Sequence, residues 1–207
     1  PKNDILLKNE APSKTLRQIL PNLPDFEQAL LYAPTWRDYD KTKFFPFDDF
    51  DAEALEKWLK KRSAILLLRA HISDSIPVSE SERIRSLSFE ECNEITDILK
   101  EINVVITDYS SITADFLLLD RPIIYIPYDK DKFESRFGFC YSNFEFWTPG
   151  QKVYSFISFI QALEIALEGD DGYSERRKWI NQFVNEFQSS NSTERVYAYL
   201  KKKLGFG

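Results

Sequence analysis

The feature that most constrains this chain is an alternation. Short apolar runs, Ala29 to Tyr32, Ala64 to Leu68, Ile102 to Thr107 and Ile123 to Pro127, are separated by segments with helical periodicity, and Ile84 to Leu87 reads as a further short strand. Parallel strands need crossover connections and are buried on both faces, so they read as continuous apolar runs with helices between them. The expected fold class is therefore α/β, a Rossmann-like parallel sheet with helices on both faces.

The helical segments follow from spacing. Asp51 to Arg62 places Leu55, Trp58 and Leu59 on one face, and Ser111 to Leu118 predicts a short helix after a strand. Ser88 and Glu91 form a capping-box pattern, which predicts a helix carrying Ile95, Ile98, Leu99 and Ile102 in a stripe. Beyond the sheet lie extra C-terminal helices. Val153 to Leu167 aligns Phe156, Ile160, Leu163 and Leu167; Glu175 to Phe187 aligns Trp179, Ile180, Phe183, Val184 and Phe187; a last helix runs from about Thr193 to Leu204. Residues 1–25 carry Pro12, Pro21 and Pro24 around a helical pattern from Ser13 to Leu20 and read as a linker from a preceding domain, leaving 26–207 as the Rossmann-like domain. The opening Pro1-Lys2-Asn3-Asp4 reads as the middle of a longer protein.

Composition removes several function classes. With 207 residues, 43% of them hydrophobic, the chain can bury one sizeable core. Acids outnumber bases 33 to 27 and no basic arm is present, which argues against nucleic-acid binding. No apolar run approaches the roughly 20 residues that span a bilayer. Cys92 and Cys140 make no disulfide framework, which suits a reducing cytoplasm. His71 is the single histidine, so multi-histidine metal centres cannot be built. Aromatics at 15% are expected to pack the core.

Ligands of open α/β sheets bind beyond the carboxyl ends of the strands. That rule selects Pro34-Thr35-Trp36-Arg37, Arg69-Ala70-His71, Asp108-Tyr109-Ser110-Ser111 and Tyr128-Asp129. At Asp108 to Thr113 a strand turns directly into a helix, so free N–H groups and the hydroxyls of Ser110 and Ser111 make a candidate diphosphate site. The alternative is that one serine only caps the helix. His71 is a candidate acid/base or phosphate-neutralising group, against a packed or surface role, and Arg69 lies on the same strand face. Arg37 offers a planar fork to phosphate, or a surface partner to Asp38 or Asp40. Asp129-Lys130-Asp131 reads as a helix cap rather than a metal site. Arg136-Phe137-Gly138-Phe139 and Pro149-Gly150 bracket an aromatic loop, either turns or a lid over a nucleotide. Lys57, Lys60, Lys61 and Arg62 form a solvated helix face.

At these positions the sequence resembles the CDP-glycerol glycerophosphotransferase family of teichoic-acid and related polymer synthesis. The resemblance rests on Leu31 to Asp38, Arg69-Ala70-His71, Thr107 to Ser111 with Asp115-Phe116, Asp120 to Ile123, Tyr128-Asp129, and Asn191 to Val196. It implies the C-terminal, donor-binding half of a GT-B type enzyme. Such an enzyme transfers polyol phosphate from CDP-glycerol or another CDP-polyol to a lipid-linked or polymer acceptor, releasing cytidine monophosphate. His71 then matches the donor-side histidine, and Ser110 and Ser111, with Arg37 and Arg69, the diphosphate site. Thr35, Asp108, Tyr128, Asp129 and Arg136 are expected around the nucleotide. No metal and no separate cofactor is implied. The partners implied are an N-terminal acceptor domain of the same polypeptide, carrying the acceptor-side histidine, and an acceptor at the inner face of the bacterial membrane, where the full-length protein is peripheral. Ile72 stands where the family has proline, and Arg136 to Phe139 interrupts its Arg-Gly-Phe pattern, so CDP-ribitol stays open as donor. A sugar-nucleotide glycosyltransferase domain and a noncatalytic nucleotide-binding or partner-docking module are the alternatives.

Overall fold

A computed structural model describes residues 3–12, 14–71 and 78–205. In chain order these form α1 (Asp4–Leu7), α2 (Leu16–Ile19), β1 (Gln28–Tyr32), α3 (Ala52–Lys61), β2 (Ala64–Leu68), β3 (Ile84–Ser86) and β4 (Val104–Thr107). There follow α4 (Ile112–Phe116), β5 (Ile123–Tyr125), α5 (Lys130–Phe137), α6 (Phe144–Trp147), β6 (Gln151–Lys152), α7 (Phe156–Glu168), α8 (Ser174–Val184) and α9 (Ser192–Leu204). Among the described residues the strands make one six-stranded sheet in the order β3-β2-β1-β4-β5-β6, with every pairing parallel. This is the expected α/β architecture, and its strand order reverses between β1 and β4, the switch point where such sheets bind ligands.

Side-chain alternation along the strands divides the core into two layers. Leu30, Tyr32, Leu66, Leu68, Val104 and Ile106 face α3 and α7, meeting Leu55, Leu59, Phe159 and Leu163. On the other face, Leu31, Ile65, Leu67, Val105 and Ile123 meet Leu16, Leu99, Ile102, Phe116 and Ile180. The ends of α7 follow from its sequence: Ser155 and Ser158 form a capping box, Asp49 accepts from Phe156 N at 2.7 Å, and Gly169 closes the helix in the left-handed conformation.

Three expectations need correction, and one strand was unforeseen. Residues 1–25 do not stand apart as a linker over their described part. Thr15 and Gln18 make a capping box, and Leu6, Leu16, Leu20 and Leu23 are buried in the second core layer, so this segment is part of the domain; Ser13 lies outside the described residues. Ser88 and Glu91 do bond reciprocally, at 3.2 and 2.8 Å, but no α-helix follows. Glu94 is extended, and the chain continues as two 3-10 turns, Ile95–Asp97 and Leu99–Glu101, because β-branched Ile95, Thr96 and Ile98 weaken the helical alternative. On α8 only Ile180 of the expected stripe is buried; Trp179 and Phe183 are 42% and 57% exposed and Phe187 is exposed beyond the helix end, so not all the aromatics are core. The sixth strand, β6, has no sequence signature. Gly150 permits it, since a Cβ there would stand 1.9 Å from the Ile123 carbonyl oxygen.

Candidate functional site

The carboxyl ends of β1, β2 and β4 are tied at one level. Thr107 Oγ1 donates to the Ala33 carbonyl at 2.7 Å, and Arg69 N to the Tyr32 carbonyl at 2.9 Å. Above them opens a cleft of about 350 Å³ whose lining includes Pro34, Arg69, His71, Phe89, Ser110, Ser111 and Asp115. The strand ends thus bring Arg69, His71, Ser110 and Ser111 together.

Arg69 is 8% exposed. Its Nη1 donates to the Leu87 and Ser88 carbonyls at 3.2 and 2.6 Å, and its guanidinium carbon sits over the Phe89 ring. Among the described residues no carboxylate pairs with it, and burial pulls its pKa below the ordinary arginine value. A guanidinium still holds its proton there, so the cleft has a cationic wall. His71 is exposed, its ring 5.8 Å from that of Trp36.

Ser111 occupies the N-cap position of α4 yet makes no side-chain cap bond, because its own backbone is already helical at φ −65° and ψ −10°. Its hydroxyl is not committed to capping. Ser110 Oγ accepts from Ile112 N at a long 3.4 Å, and Thr113 Oγ1 donates to the Ser110 carbonyl at 3.0 Å. The helix that follows has only five residues before a 3-10 turn over Leu117–Leu119, so its dipole is weaker than the sequence pattern suggested.

Arg37 is not brought to the cleft. It is 2% exposed, and its fork is filled: Nη1 donates to Asp108 at 2.7 Å and to the Thr35 carbonyl, while Nε and Nη2 grip Asp129 at 2.9 and 2.8 Å. Neither Asp38 nor Asp40 is its partner, as a surface role would have required; Asp38 pairs with exposed Arg136 at 2.6 Å, outside the cleft. Asp129 also accepts from Tyr39 Oη at 2.7 Å and Tyr109 Oη at 3.1 Å. Burial alone would raise the Asp129 pKa, but the Arg37 fork and the two phenols outweigh it and hold the carboxyl below the usual range. Asp108 accepts from Thr35 N at 2.8 Å, and Arg37 lies over the Tyr128 ring at 4.8 Å. Thr35, Arg37, Asp108, Tyr128 and Asp129 therefore form one network, buried at Arg37 and Asp108 and half-buried at the other three, behind the Ser110–Ser111 turn.

The aromatic loop between Arg136 and Gly150 packs sideways. Tyr109 stacks on Phe133 at 4.2 Å and Tyr141 on Trp147 at 4.1 Å. The loop walls a second cavity of about 260 Å³ between Ser110, Ser111 and α8, with the buried Tyr125 hydroxyl making no hydrogen bond among the described residues. Phe89 and Tyr39 were not singled out from sequence, and Tyr109 was given no role of its own. Phe89 carries no signal, whereas Tyr109 sits inside the Asp108-Tyr109-Ser110-Ser111 run. Among the described residues no group of three or more His, Cys, Asp or Glu is arranged to hold a metal ion, and no helix is long and apolar enough to cross a membrane.

Comparison with known proteins gives a consistent result. The chain is 26% identical over 204 residues to the teichoic acid ribitol-phosphate polymerase TarK of Staphylococcus aureus, covering 95% of this chain and 38% of that protein. It is 30% identical over 179 residues to a teichoic acid glycerol-phosphate transferase of the same species, covering 84% and 45%. A variant of the wall teichoic acid polymerase TagF superposes with a TM-score of 0.77 at 25% identity, over 99% of this chain and 51% of TagF; a TagF structure with CDPG gives 0.73 at 25%. The chain thus spans less than half the length of those two relatives and about half of TagF. The family described as CDP-glycerol:poly(glycerophosphate) glycerophosphotransferase matches residues 1–202, and this chain belongs to it.

Proposed function

We propose that this chain is the donor-binding part of a polyol-phosphate transferase, holding CDP-glycerol or a related CDP-polyol in the cleft above β1, β2 and β4. The observation that carries the reading is the convergence of Arg69, His71, Ser110 and Ser111 on one cleft at the switch point of a chain from this family. The TagF structure with CDPG supports the choice of donor.

In the proposed reaction an acceptor hydroxyl oxygen bonds to the distal phosphorus, the bond from that phosphorus to the bridging oxygen breaks, and cytidine monophosphate leaves. The acceptor proton departs to a base on the acceptor side. Ser110 and Ser111 hydroxyls bond the diphosphate oxygens. Arg69 supplies charge from the cleft wall, and His71 neutralises or protonates the leaving phosphate. Arg37 is not given a phosphate contact. The acceptor half of the same polypeptide and a lipid-linked acceptor at the membrane complete the proposal, and no separate cofactor enters it.

Calorimetric titration of this chain with CDP-glycerol, CDP-ribitol, CDP and UDP-glucose tests the reading. The expected result is saturable binding of a cytidine ligand, with no transfer by this chain alone. Clear preference for UDP-glucose would replace the reading with a sugar-nucleotide glycosyltransferase domain.

A further inference from the structure

The Arg37 network ends one residue before the serines of the cleft. Asp108 and Tyr109 lead directly into Ser110 and Ser111, and Tyr109 is held at both ends. Its backbone N–H donates to Asp108 Oδ1 at 2.5 Å, its hydroxyl to Asp129 Oδ1 at 3.1 Å, and its ring stacks on Phe133. Arg37 joins the three strand ends involved, through Thr35 after β1, Asp108 after β4 and Asp129 after β5.

We propose that Arg37 is a positioning residue: with Asp108, Asp129 and Tyr109 it fixes the Ser110–Ser111 turn for the donor diphosphate without touching the donor. The proposal rests on the donor-binding reading above. Apolar packing would hold these loops together equally well, since buried ion pairs are weak stabilisers. Apolar groups, however, cannot fix the direction of a backbone N–H and a phenol at once. A bidentate guanidinium between two carboxylates does so, because each bond is directional. Contact with a phosphate would require Arg37 to release a carboxylate inside the protein, where an unpaired charge is costly.

The test measures CDP-glycerol affinity by calorimetry, and melting temperature in parallel, for the wild-type chain, Arg37→Lys, Tyr109→Phe, Ser111→Ala and the double variant Tyr109→Phe/Ser111→Ala. Tyr109→Phe keeps the ring packing and loses only the bond to Asp129, so it serves even where Arg37→Lys fails to fold. It is expected to weaken binding roughly fivefold to tenfold with little change in melting temperature. In the double variant the two losses should be less than multiplicative, because the Ser111 hydroxyl contributes only while the turn is held in place. A purely structural network predicts lower melting temperatures with wild-type affinity per folded molecule. That result, or fully independent effects in the double variant, overturns the proposal while leaving the donor reading intact. Failure of the wild-type chain to bind any cytidine ligand removes the donor reading and this proposal with it.

Discussion

The guanidinium carbon of Arg69 lies 3.8 Å from the centroid of the Phe89 ring, while among the described residues only Nη1 of its fork is engaged, by two carbonyls. On the proposed donor-binding reading, the ring holds the arginine in place and the rest of its fork serves the ligand. Arg69→Ala is therefore expected to weaken CDP-glycerol binding by about tenfold or more, in keeping with hydrogen bonds to charged groups. Arg69→Lys should recover part of that loss, because it restores charge without the planar fork. Calorimetry decides the matter, and equal affinities for all three proteins would take Arg69 out of the site.

Ser111→Ala should separate affinity from stability. Its hydroxyl makes no cap bond, so the usual penalty of about 1 kcal/mol for losing a cap is not expected. Donor affinity should instead fall by roughly fivefold to a hundredfold, equivalent to about 1–3 kcal/mol. A melting-temperature loss without an affinity loss would return Ser111 to a capping role.

His71→Ala concerns turnover and needs a protein that includes an acceptor half. A group acting on the leaving phosphate works chiefly in the transition state, so kcat should fall by about a hundredfold or more while donor affinity changes little. Steady-state kinetics alongside calorimetry provides the check, and a folded variant as fast as wild type would remove His71 from the mechanism.

Lys152 predicts an alkaline rise in stability. Burial pulls its ammonium down to about 8, against the opposing influence of Glu145 at 3.7 Å. Between about pH 8 and the ordinary lysine value of ~10.4 the unfolded chain binds more protons at this site than the folded one, so stability grows as pH rises through that window. It is lost again as pH falls through 8. The melting temperature should climb by several degrees from pH 7.5 to 9.5, and Lys152→Met should flatten that climb. An equal climb in both proteins would place its origin elsewhere.

The last helix should be separable from the core. No residue of α9 is buried, and Val196, Tyr197, Leu200 and Leu204 are all exposed. Leu200→Glu is expected to change stability by no more than about 0.5 kcal/mol, as for other surface substitutions. Denaturant titration checks this, and a much larger loss would mean that α9 is packed in solution.

The sheet was legible in the sequence because its strands are buried on both faces and bounded by helices of a different period. The candidate cleft was legible in part. Arg69, His71, Ser110 and Ser111 follow from the rule that polar residues at strand ends converge. Arg37 looked equally suited to phosphate, because a fork that fits phosphate fits carboxylate as well, and its partners Asp108 and Asp129 are far from it in sequence. The capping signal at Ser88 was real, yet a cap marks a place where a helix can start and does not supply its continuation. The exposed Trp179 and Phe183 obey helical periodicity, which reports a shared face and not what covers it. The strand β6 is two residues long and owes its place to Gly150, whose requirement is visible only against the Ile123 carbonyl.

The pairing of β1 with both β2 and β4 also sets when the cleft can exist. β2 is the nearer neighbour in sequence, whereas the tie between Thr107 and Ala33 closes over 74 positions. Pairings of such long separation are slow to form. During synthesis Arg69 and His71 emerge well before Ser110 and Ser111, and they have no site to serve until β4 docks beside β1. In a refolding experiment, donor binding should return with the slowest phase, after the helical signal, which makes the ligand a reporter for closure of the central strands.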